Sequence, residues 1–299
     1  MSCGSSTTPA CPARRPGKAA SDVPFFIALT ILAGSYVVLI AAFIAADVLF
    51  TSPGHLLAAL RSPEIRYSIR LSLVSCSIAA ILSVWVAVPL GYLLSRAHLV
   101  SGGLTRRPIT ARLVQMMRAI VDTIVDIPIV LPPLVTGLSL LILFQAAPLR
   151  QLQRIFPVTY AVPAVVIAQF AVACAFAVRT MTVTFAQISP RTEQVALTLG
   201  CTRRQAFWMV ALPEARRGIL AATTLAWARS LGEFGPILVF AGATRMRTEV
   251  LSTTVFLELS IGNLEAAIAV SLMMIIAAVA VLVLLRLAEA AEPFWRSVA

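Results

Sequence analysis

The stretch EQVALTLGCTRRQAFWMVALPEARRGIL (residues 193–220) places charged side chains and helix-ending signals between two long apolar runs. The sequence around it is strongly apolar, since 59% of its 299 residues are hydrophobic, 12% are charged and the mean hydropathy is +0.91. Soluble domains carry a charged fraction of about a quarter. The composition therefore predicts a polytopic membrane protein, in which so long a polar segment calls for a specific purpose.

The apolar runs outside this stretch have the length of membrane spans. A helix needs about 20 apolar residues to cross a bilayer core of roughly 30 Å. The runs are continuous rather than alternating, which favours helices over barrel strands. We predict an all-α chain with six transmembrane helices, at about 24–50, 68–94, 120–144, 161–185, 218–242 and 266–287.

The N-terminal residues divide into a tail and a first helix. Residues 1–22 are rich in Ser, Thr, Pro and Ala and predict a disordered tail, followed by one transmembrane domain over 23–299. The first apolar run follows a basic stretch, as a signal peptide does. It is longer than a typical signal core and no convincing cleavage site follows, so we interpret it as a retained helix.

The distribution of basic residues predicts the orientation. The net charge is +11, and most of the 24 Lys and Arg residues fall in segments on the same side as the N-terminus. Basic loops stay in the cytoplasm, so topology accounts for the charge without a nucleic-acid partner. We expect both termini and the stretch 193–220 to be cytoplasmic.

The stretch itself carries the signals of two short helices. Ser189 before Pro190 is a helix start, because serine caps free N–H groups and proline fits the first helical position. A helix from there can end at Gly200, which tolerates left-handed backbone. Thr202, with glutamine three residues later, predicts a capping box for a second helix that stops by Pro213.

Two interpretations of this helical hairpin remain open from the residues alone. In the first, it is an amphipathic hairpin at the inner leaflet, with its arginines on lipid headgroups. In the second, it is a docking site for a soluble partner.

Other chemistries find little support in the sequence. Lys18 is the only lysine, so no GxxxxGK[ST] loop is present to hold nucleotide phosphates. The five cysteines lack metal-ligand spacing, and His55 and His98 have no ligand-spaced neighbours. We expect no ATPase site, bound cofactor, metal or covalent catalysis in this chain.

The stretch 193–220 resembles the signature loop of ABC importer permeases, written EAA, three residues, G, nine residues, I, one residue, LP. The spacing is complete, with Glu193 immediately before the motif. Its positions are held by Gln194, Val195, Ala196, Gly200, Val210, Leu212 and Pro213, of which Gln194, Val195 and Val210 depart from the pattern. The resemblance implies a loop at about 186–217 whose helix couples to a cytoplasmic ATPase.

Other segments point to one branch of that family. VPLGYLLSR (88–96), VDIPIVLPPLVTG (125–137) and ARSLGEFGPILVFAG (228–242) resemble permeases for molybdate, tungstate, sulfate and thiosulfate, and residues 248–270 are similar to the molybdate and tungstate members. The resemblance implies an oxyanion importer in the plasma (inner) membrane of a prokaryote, with molybdate favoured over tungstate or sulfate. The partners it implies are an ABC ATPase dimer that uses ATP and Mg, an extracytoplasmic substrate-binding protein, membrane lipid and a second permease copy, with a homodimer favoured.

The fifth apolar run contains both charges and helix-weakening residues. Arg229 and Glu233 lie four residues apart on one helical face and are expected to pair, with a structural role favoured over one in the path. Gly232, Gly235 and Pro236 weaken the helix where it must bend or approach another closely. The family resemblance implies a gate there, at the axis of the dimer.

The third run is expected to line the path. Pro132 and Pro133 free backbone carbonyls, and irregular backbone at membrane depth must be buried in protein or face water. For Asp122 and Asp126 we favour stabilisation of the start of the helix, and for Arg179 snorkelling to the interface. The residues assigned to the path or gate are Asp126, Pro132, Pro133, Gly137, Arg229, Gly232, Glu233 and Gly235.

Three rival functions are also compatible with parts of the sequence. One is an ABC permease for another solute, such as phosphate, polyamine or ferric ion. Another is a secondary transporter or channel that works alone, although many such folds contain inverted repeats and no convincing repeat is present here. The third is a membrane scaffold, which leaves the Pro-rich and Gly-rich runs unexplained.

Overall fold

A computed structural model of the chain describes residues 23–104 and 108–290, and these form helices joined by turns without any strand. The predicted tail over 1–22 lies outside the described residues. The helices are α1 (Val23–Phe50), α2 (Pro53–Arg61), α3 (Pro63–Leu104), α4 (Pro108–Val130), α5 (Pro133–Gln145), α6 (Ala147–Ile155), α7 (Val162–Gln187), α8 (Pro190–Thr198), α9 (Arg203–Ala206), a π-helical turn (Phe207–Ala211), α10 (Leu212–Glu214), α11 (Arg216–Leu231), α12 (Gly235–Phe240), α13 (Leu251–Ser260) and α14 (Leu264–Ala290).

The chain divides into two compact units. Residues 1–50 form one unit, whose described part is the single apolar helix α1, long enough to cross a membrane. Residues 51–299 form the other unit, which holds all the predicted functional residues.

The second unit is built on close packing of α3, α7 and α11. Small side chains allow this, because they let helix backbones approach one another. Gly91 of α3 faces Met181 of α7, and Gly218 of α11 faces Thr184 of α7; a Cβ atom at either glycine would collide with these neighbours. The buried alanines of the three helices include Ala79, Ala80, Ala87, Ala173, Ala177, Ala222 and Ala226.

The spans differ from the prediction in two places. Among the described residues, four helices are long and apolar enough to cross a membrane: 23–50, 63–96, 162–187 and 264–287. The third predicted run is a bent pair, 112–130 and 133–145, with 116° between its halves. The all-α membrane fold is confirmed, whereas the count of six spans stays a prediction.

The fifth predicted run is also interrupted. Its first part, α11, has 16 residues, and its second part, α12, has only 6. The break lies at 232–234, beside Gly235 and Pro236, and proline cannot donate the hydrogen bond that would continue a helix. The helix is therefore interrupted beside the residues that were expected to weaken it.

Candidate coupling segment and membrane pathway

Helix α8 begins where the sequence places it. Arg191 N–H donates to Ser189 Oγ at 3.4 Å, and Pro190 occupies the first turn. The helix ends at Thr198, two residues before Gly200, whose φ of +91° is in the left-handed region. Cys201 N–H then donates to Ala196 O at 3.1 Å, which closes the turn. The predicted glycine turn is confirmed.

The second helix starts with the expected capping box. Gln205 N–H donates to Thr202 Oγ1 at 3.3 Å, and Thr202 N–H donates to Gln205 Oε1 at 2.8 Å. The expected stop by Pro213 is wrong, because helical backbone continues to Glu214. A π-helical turn precedes it, in which Leu212 N–H donates to Phe207 O, and this wider turn accommodates the missing N–H of proline.

The signature residues are divided between an exposed and a buried face. Val195 is 56% exposed and Leu199 is 80% exposed, four residues apart on one side of the segment, and Gln194 is also exposed. We call Val195 and Leu199 the α8 ridge. Ala196 is buried beneath it, and space beside Gly200 is open. The prediction missed Leu199, although its spacing from Val195 is a readable signal.

The later signature residues lie away from this ridge. Val210 and Leu212 are half-buried, and Pro213 is exposed. They belong to the π-helical turn and α10, which run into α11. The signature therefore does not converge on one pocket; its first part presents a surface and its second part joins that surface to the bundle.

Glu193 ties the segment to α3 through a buried ion pair. Arg96 donates to Glu193 Oε1 from Nε at 3.1 Å and from Nη2 at 2.7 Å, and Tyr92 O–H donates to Oε2 at 2.7 Å. Arg96 Nη2 also donates to Ile188 O at 3.0 Å. We call Tyr92, Arg96 and Glu193 the α3 clamp. Sequence reasoning did not assign Tyr92 or Arg96, although their four-residue spacing puts them on one helical face.

Aromatic packing reinforces this junction. The Tyr92 ring meets Phe185 of α7 at 5.4 Å between centroids and Phe207 of the π-helical turn at 4.8 Å, both edge to face. Such pairs stabilise beyond the area they bury. The clamp therefore joins α3, α7 and both halves of the coupling segment.

The two interrupted spans meet at their breaks. A Cβ atom at Gly137 would lie 2.8 Å from Pro236 Cα, and one at Gly235 would lie 2.9 Å from Pro133 Cβ. Pro132 stands at the start of α5, where its carbonyl accepts from Val135 N–H at 2.9 Å. The close approach expected at Gly235 is present, and Gly137 is its counterpart in the other helix.

Arg229 and Glu233 pair as predicted. The Arg229 guanidinium contacts Glu233 Oε1 but is not aligned to donate a hydrogen bond to it. The Glu233 side chain is 1% exposed, and the Arg229 side chain is 31% exposed. The guanidinium carbon of Arg229 lies 5.4 Å from the centroid of the Phe176 ring. Gly232, between the partners, has only ordinary contacts and ends α11.

The interpretations of Asp122, Asp126 and Arg179 are corrected. Both aspartates lie well inside α4, which begins at Pro108, so they cannot stabilise the start of that helix. Arg179 of α7 contacts Asp126 through Nε and Nη2 and donates from Nη1 to Asp122 at 3.0 Å. Arg179 is thus bound in a half-exposed ionic network between α4 and α7, a role that the snorkelling interpretation did not include.

A further polar network joins the start of α3 to the segment between α12 and α14, on the side predicted to face outward. Arg245 donates to Glu64 at 3.0 Å and to Glu258 at 2.8 Å, and Asn263 donates to Glu258 at 3.1 Å. Glu249 is wholly buried nearby, and burial raises the pKa of its carboxyl. Within the described part of the chain, no group of three or more His, Cys, Asp or Glu side chains is placed to hold a metal.

Sequence comparison finds transport proteins. The chain is 29% identical over 261 residues to the molybdenum transport system permease protein of Mycobacterium tuberculosis, covering 86% of this chain and 92% of the relative. It is 33% identical over 213 residues to a probable molybdenum ABC transporter permease protein of Haloferax volcanii, covering 71% of each. It is 35% identical over 157 residues to the sulfate transport system permease protein of Salmonella typhimurium, covering 52% of this chain and 57% of the relative.

Structural comparison supports the same fold. A chain of a bacterial alginate ABC transporter, solved with an alginate pentasaccharide-bound periplasmic protein, matches with a TM-score of 0.64 at 16% identity, covering 88% of this chain and 93% of its own. Residues 109–296 match the family described as binding-protein-dependent transport system inner membrane component. That match includes the capped coupling segment, both interrupted spans and their charged residues, and the chain belongs to this family.

Proposed function

We propose that this chain is the permease subunit of an ATP-driven importer for an oxyanion, with molybdate favoured over tungstate and sulfate. The observation that carries the proposal is the α8 ridge on a segment anchored by the α3 clamp. An apolar ridge on a polar segment suits a protein partner, and the clamp gives that partner a rigid connection to the spans. The substrate follows from the names of the molybdenum and sulfate relatives.

The proposed partners are those that such a subunit requires. A separate cytoplasmic ABC ATPase dimer hydrolyses ATP with Mg and docks on the α8 ridge. An extracytoplasmic binding protein delivers the anion, and a second copy of this chain completes the pathway as a homodimer. The chain itself contributes no ATPase site, and its two termini lie in the cytoplasm.

The proposed mechanism moves helices instead of making bonds. A displacement of α8 reaches α3 through the hydrogen bonds of Glu193 to Arg96 and Tyr92. Because α3, α7 and α11 pack closely, they move together and change the contact between α5 and α12. The Arg229–Glu233 pair stands at the break between α11 and α12 and offers an anion only a partly engaged cation, which suits passage and release.

The first test is uptake of radiolabelled molybdate by proteoliposomes that hold this chain, its ATPase and its binding protein. We expect ATP-dependent uptake that unlabelled tungstate suppresses and sulfate does not. Suppression by sulfate alone would reassign the anion. ATP hydrolysis without any oxyanion uptake would overturn the substrate while leaving the permease assignment in place.

The second test is Gly200→Asp in the coupling turn, matched with Gly262→Asp. Both glycines have positive φ, +91° and +80°, and open space beside them, so the backbone cost is similar. We expect Gly200→Asp to keep ATP hydrolysis but to abolish coupled uptake. Normal uptake by an inserted Gly200→Asp variant, or equal loss in Gly262→Asp, would contradict the coupling role.

A further inference from the structure

A groove of about 490 Å³ runs along the outside of the helix bundle beside the coupling segment. Its walls are almost entirely apolar and include Trp85 and Pro89 of α3, Phe207 and Trp208 of the π-helical turn, and Leu212 of α10. Trp85 is 76% exposed and Trp208 is 60% exposed, so the groove opens outward and not into the core. We call it the Trp208 groove.

A second cavity of about 380 Å³ adjoins this groove and shares Trp208 with it. Its other walls are Thr202, Arg204, Gln205 and Met209. Arg204 is exposed and makes no ion pair with any of the described residues. We call this cavity the Arg204 pocket. A pocket that carries one arginine therefore joins an apolar groove across one tryptophan ring.

We propose that the two cavities together bind one phospholipid with an anionic headgroup. The Arg204 guanidinium and the Gln205 amide would take the phosphate and the polar headgroup, and an acyl chain would lie along Trp85 and Pro89. Basic side chains attract anionic headgroups, and tryptophan rings favour the boundary between headgroups and acyl chains. The assignment to the cytoplasmic leaflet rests on the proposed function, which places the coupling segment on that side.

The depth of the groove fits an acyl chain. The α3 residues that line the groove run from Pro89 back to Ile81, a rise of about 12 Å at 1.5 Å per residue. That distance is comparable to one leaflet of a hydrocarbon core of roughly 30 Å. A free phosphate would use Arg204 and leave the groove empty, whereas a lipid without a phosphate would fill the groove and leave Arg204 unpaired. A zwitterionic phospholipid would bring its own cation next to Arg204. An anionic phospholipid satisfies both cavities.

The position gives such a lipid a role in the mechanism. The groove is bounded by α3 on one side and by the π-helical turn and α10 on the other. The α3 clamp joins α3 to α8, and Tyr92 of the clamp packs on Phe207 of the groove wall. A bound lipid would brace the second half of the coupling segment against α3, next to the clamp.

The test measures lipid retention by native mass spectrometry of the permease assembled with its ATPase. The assembled complex is reconstituted with equal dioleoyl phosphatidylglycerol and dioleoyl phosphatidylcholine and then extracted. We expect selective retention of phosphatidylglycerol. Arg204→Gln should reduce it about fivefold, since one basic residue near an anionic surface contributes about 1 kcal/mol. Val84→Trp, which fills the groove from its wall, should reduce both lipids.

Two matched variants keep the test specific. Arg191→Gln removes an exposed arginine from α8, and Leu93→Trp enlarges an exposed side chain of α3 outside the groove. Equal loss in these variants, or equal retention of the two lipids by the unmodified complex, would overturn the proposal. Displacement of the lipid by inorganic phosphate would assign the pocket to a free anion. Lipid retained by the isolated permease but lost in the complex would assign it to the ATPase. None of these readouts requires uptake or ATP hydrolysis, so they do not depend on the transported solute.

Discussion

Glu193 and Glu233 are both buried and both pair with arginine, but they are held in different ways. Glu193 meets Arg96 across 97 residues of sequence, and three donors from Arg96 and Tyr92 reach its two oxygens. Both side chains are largely buried, at 11% and 5% exposure. Glu233 meets Arg229 within four residues, with one partner 1% and the other 31% exposed and without an aligned hydrogen bond.

This difference separates a fixed joint from a contact that can rearrange. Breaking the α3 clamp leaves a buried charge, which is costly because the protein interior solvates it poorly. The Arg229 side chain is already 31% exposed and lies beside the Phe176 ring, so its charge can stay partly solvated while the geometry of the pair changes. We infer that motion passes through the clamp without opening it, whereas the Arg229–Glu233 pair lies where the pathway changes shape.

The largest effect is expected from breaking the clamp. Arg96→Leu leaves Glu193 buried without its cation and should reduce the free energy of unfolding by about 3 to 5 kcal/mol. The measurement is thermal or denaturant unfolding of the purified chain in detergent. Adding Glu193→Leu should recover much of the loss, because no buried charge then remains.

A smaller change separates the hydrogen bond from the ring packing of the clamp. Tyr92→Phe keeps the aromatic contacts with Phe185 and Phe207 and removes only the donor to Glu193. It should reduce the free energy of unfolding by about 1.5 to 3 kcal/mol, the range for a hydrogen bond to a charged group.

The control for Arg96→Leu is Arg191→Gln, which removes an exposed arginine. If both variants reduce the free energy of unfolding equally, the clamp is not a structural joint.

The next largest effect is expected at the contact between α5 and α12. Gly235→Ala places a Cβ atom 2.9 Å from Pro133 Cβ and 3.0 Å from Leu134 N, so backbone must shift, at about 1 to 3 kcal/mol. Gly232→Ala is the matched control, since its nearest contact is 3.8 Å. The free energy of unfolding and the rate of uptake should both fall for Gly235→Ala and should stay near the parental values for Gly232→Ala. Similar values for the two would show that the close approach does not matter.

Local chemistry accounts for what the sequence predicted well. The caps at Ser189 and Thr202 and the turn at Gly200 depend on residues within three or four positions of each other, so their spacing specifies them. Pro132, Pro133, Gly232 and Gly235 likewise act on their own backbone. The predicted breaks in the third and fifth runs follow from that local effect.

The features that the sequence did not predict have a different origin. Arg96 pairs with Glu193, 97 residues away, and Arg179 pairs with Asp126, 53 residues away. The residues next to them in the sequence do not indicate which partner each one contacts. Pro213 was expected to end a helix, but the π-helical turn before it supplies a register in which proline fits. Pairings across the bundle depend on helix packing, which local residue patterns do not determine.

The smallest effect on stability is expected at Glu233, and it decides what the Arg229–Glu233 pair does. Glu233→Gln keeps the shape and leaves Arg229 partly exposed beside Phe176, so the loss should be about 1 kcal/mol or less. Arg229→Gln should cost more, because it leaves the buried Glu233 without its cation. At the clamp, by contrast, removing either partner should cost a similar amount, since both are buried. Uptake separates the roles once stability is matched: a stable Glu233→Gln variant with altered uptake places the pair in the path, and one with parental uptake makes it structural.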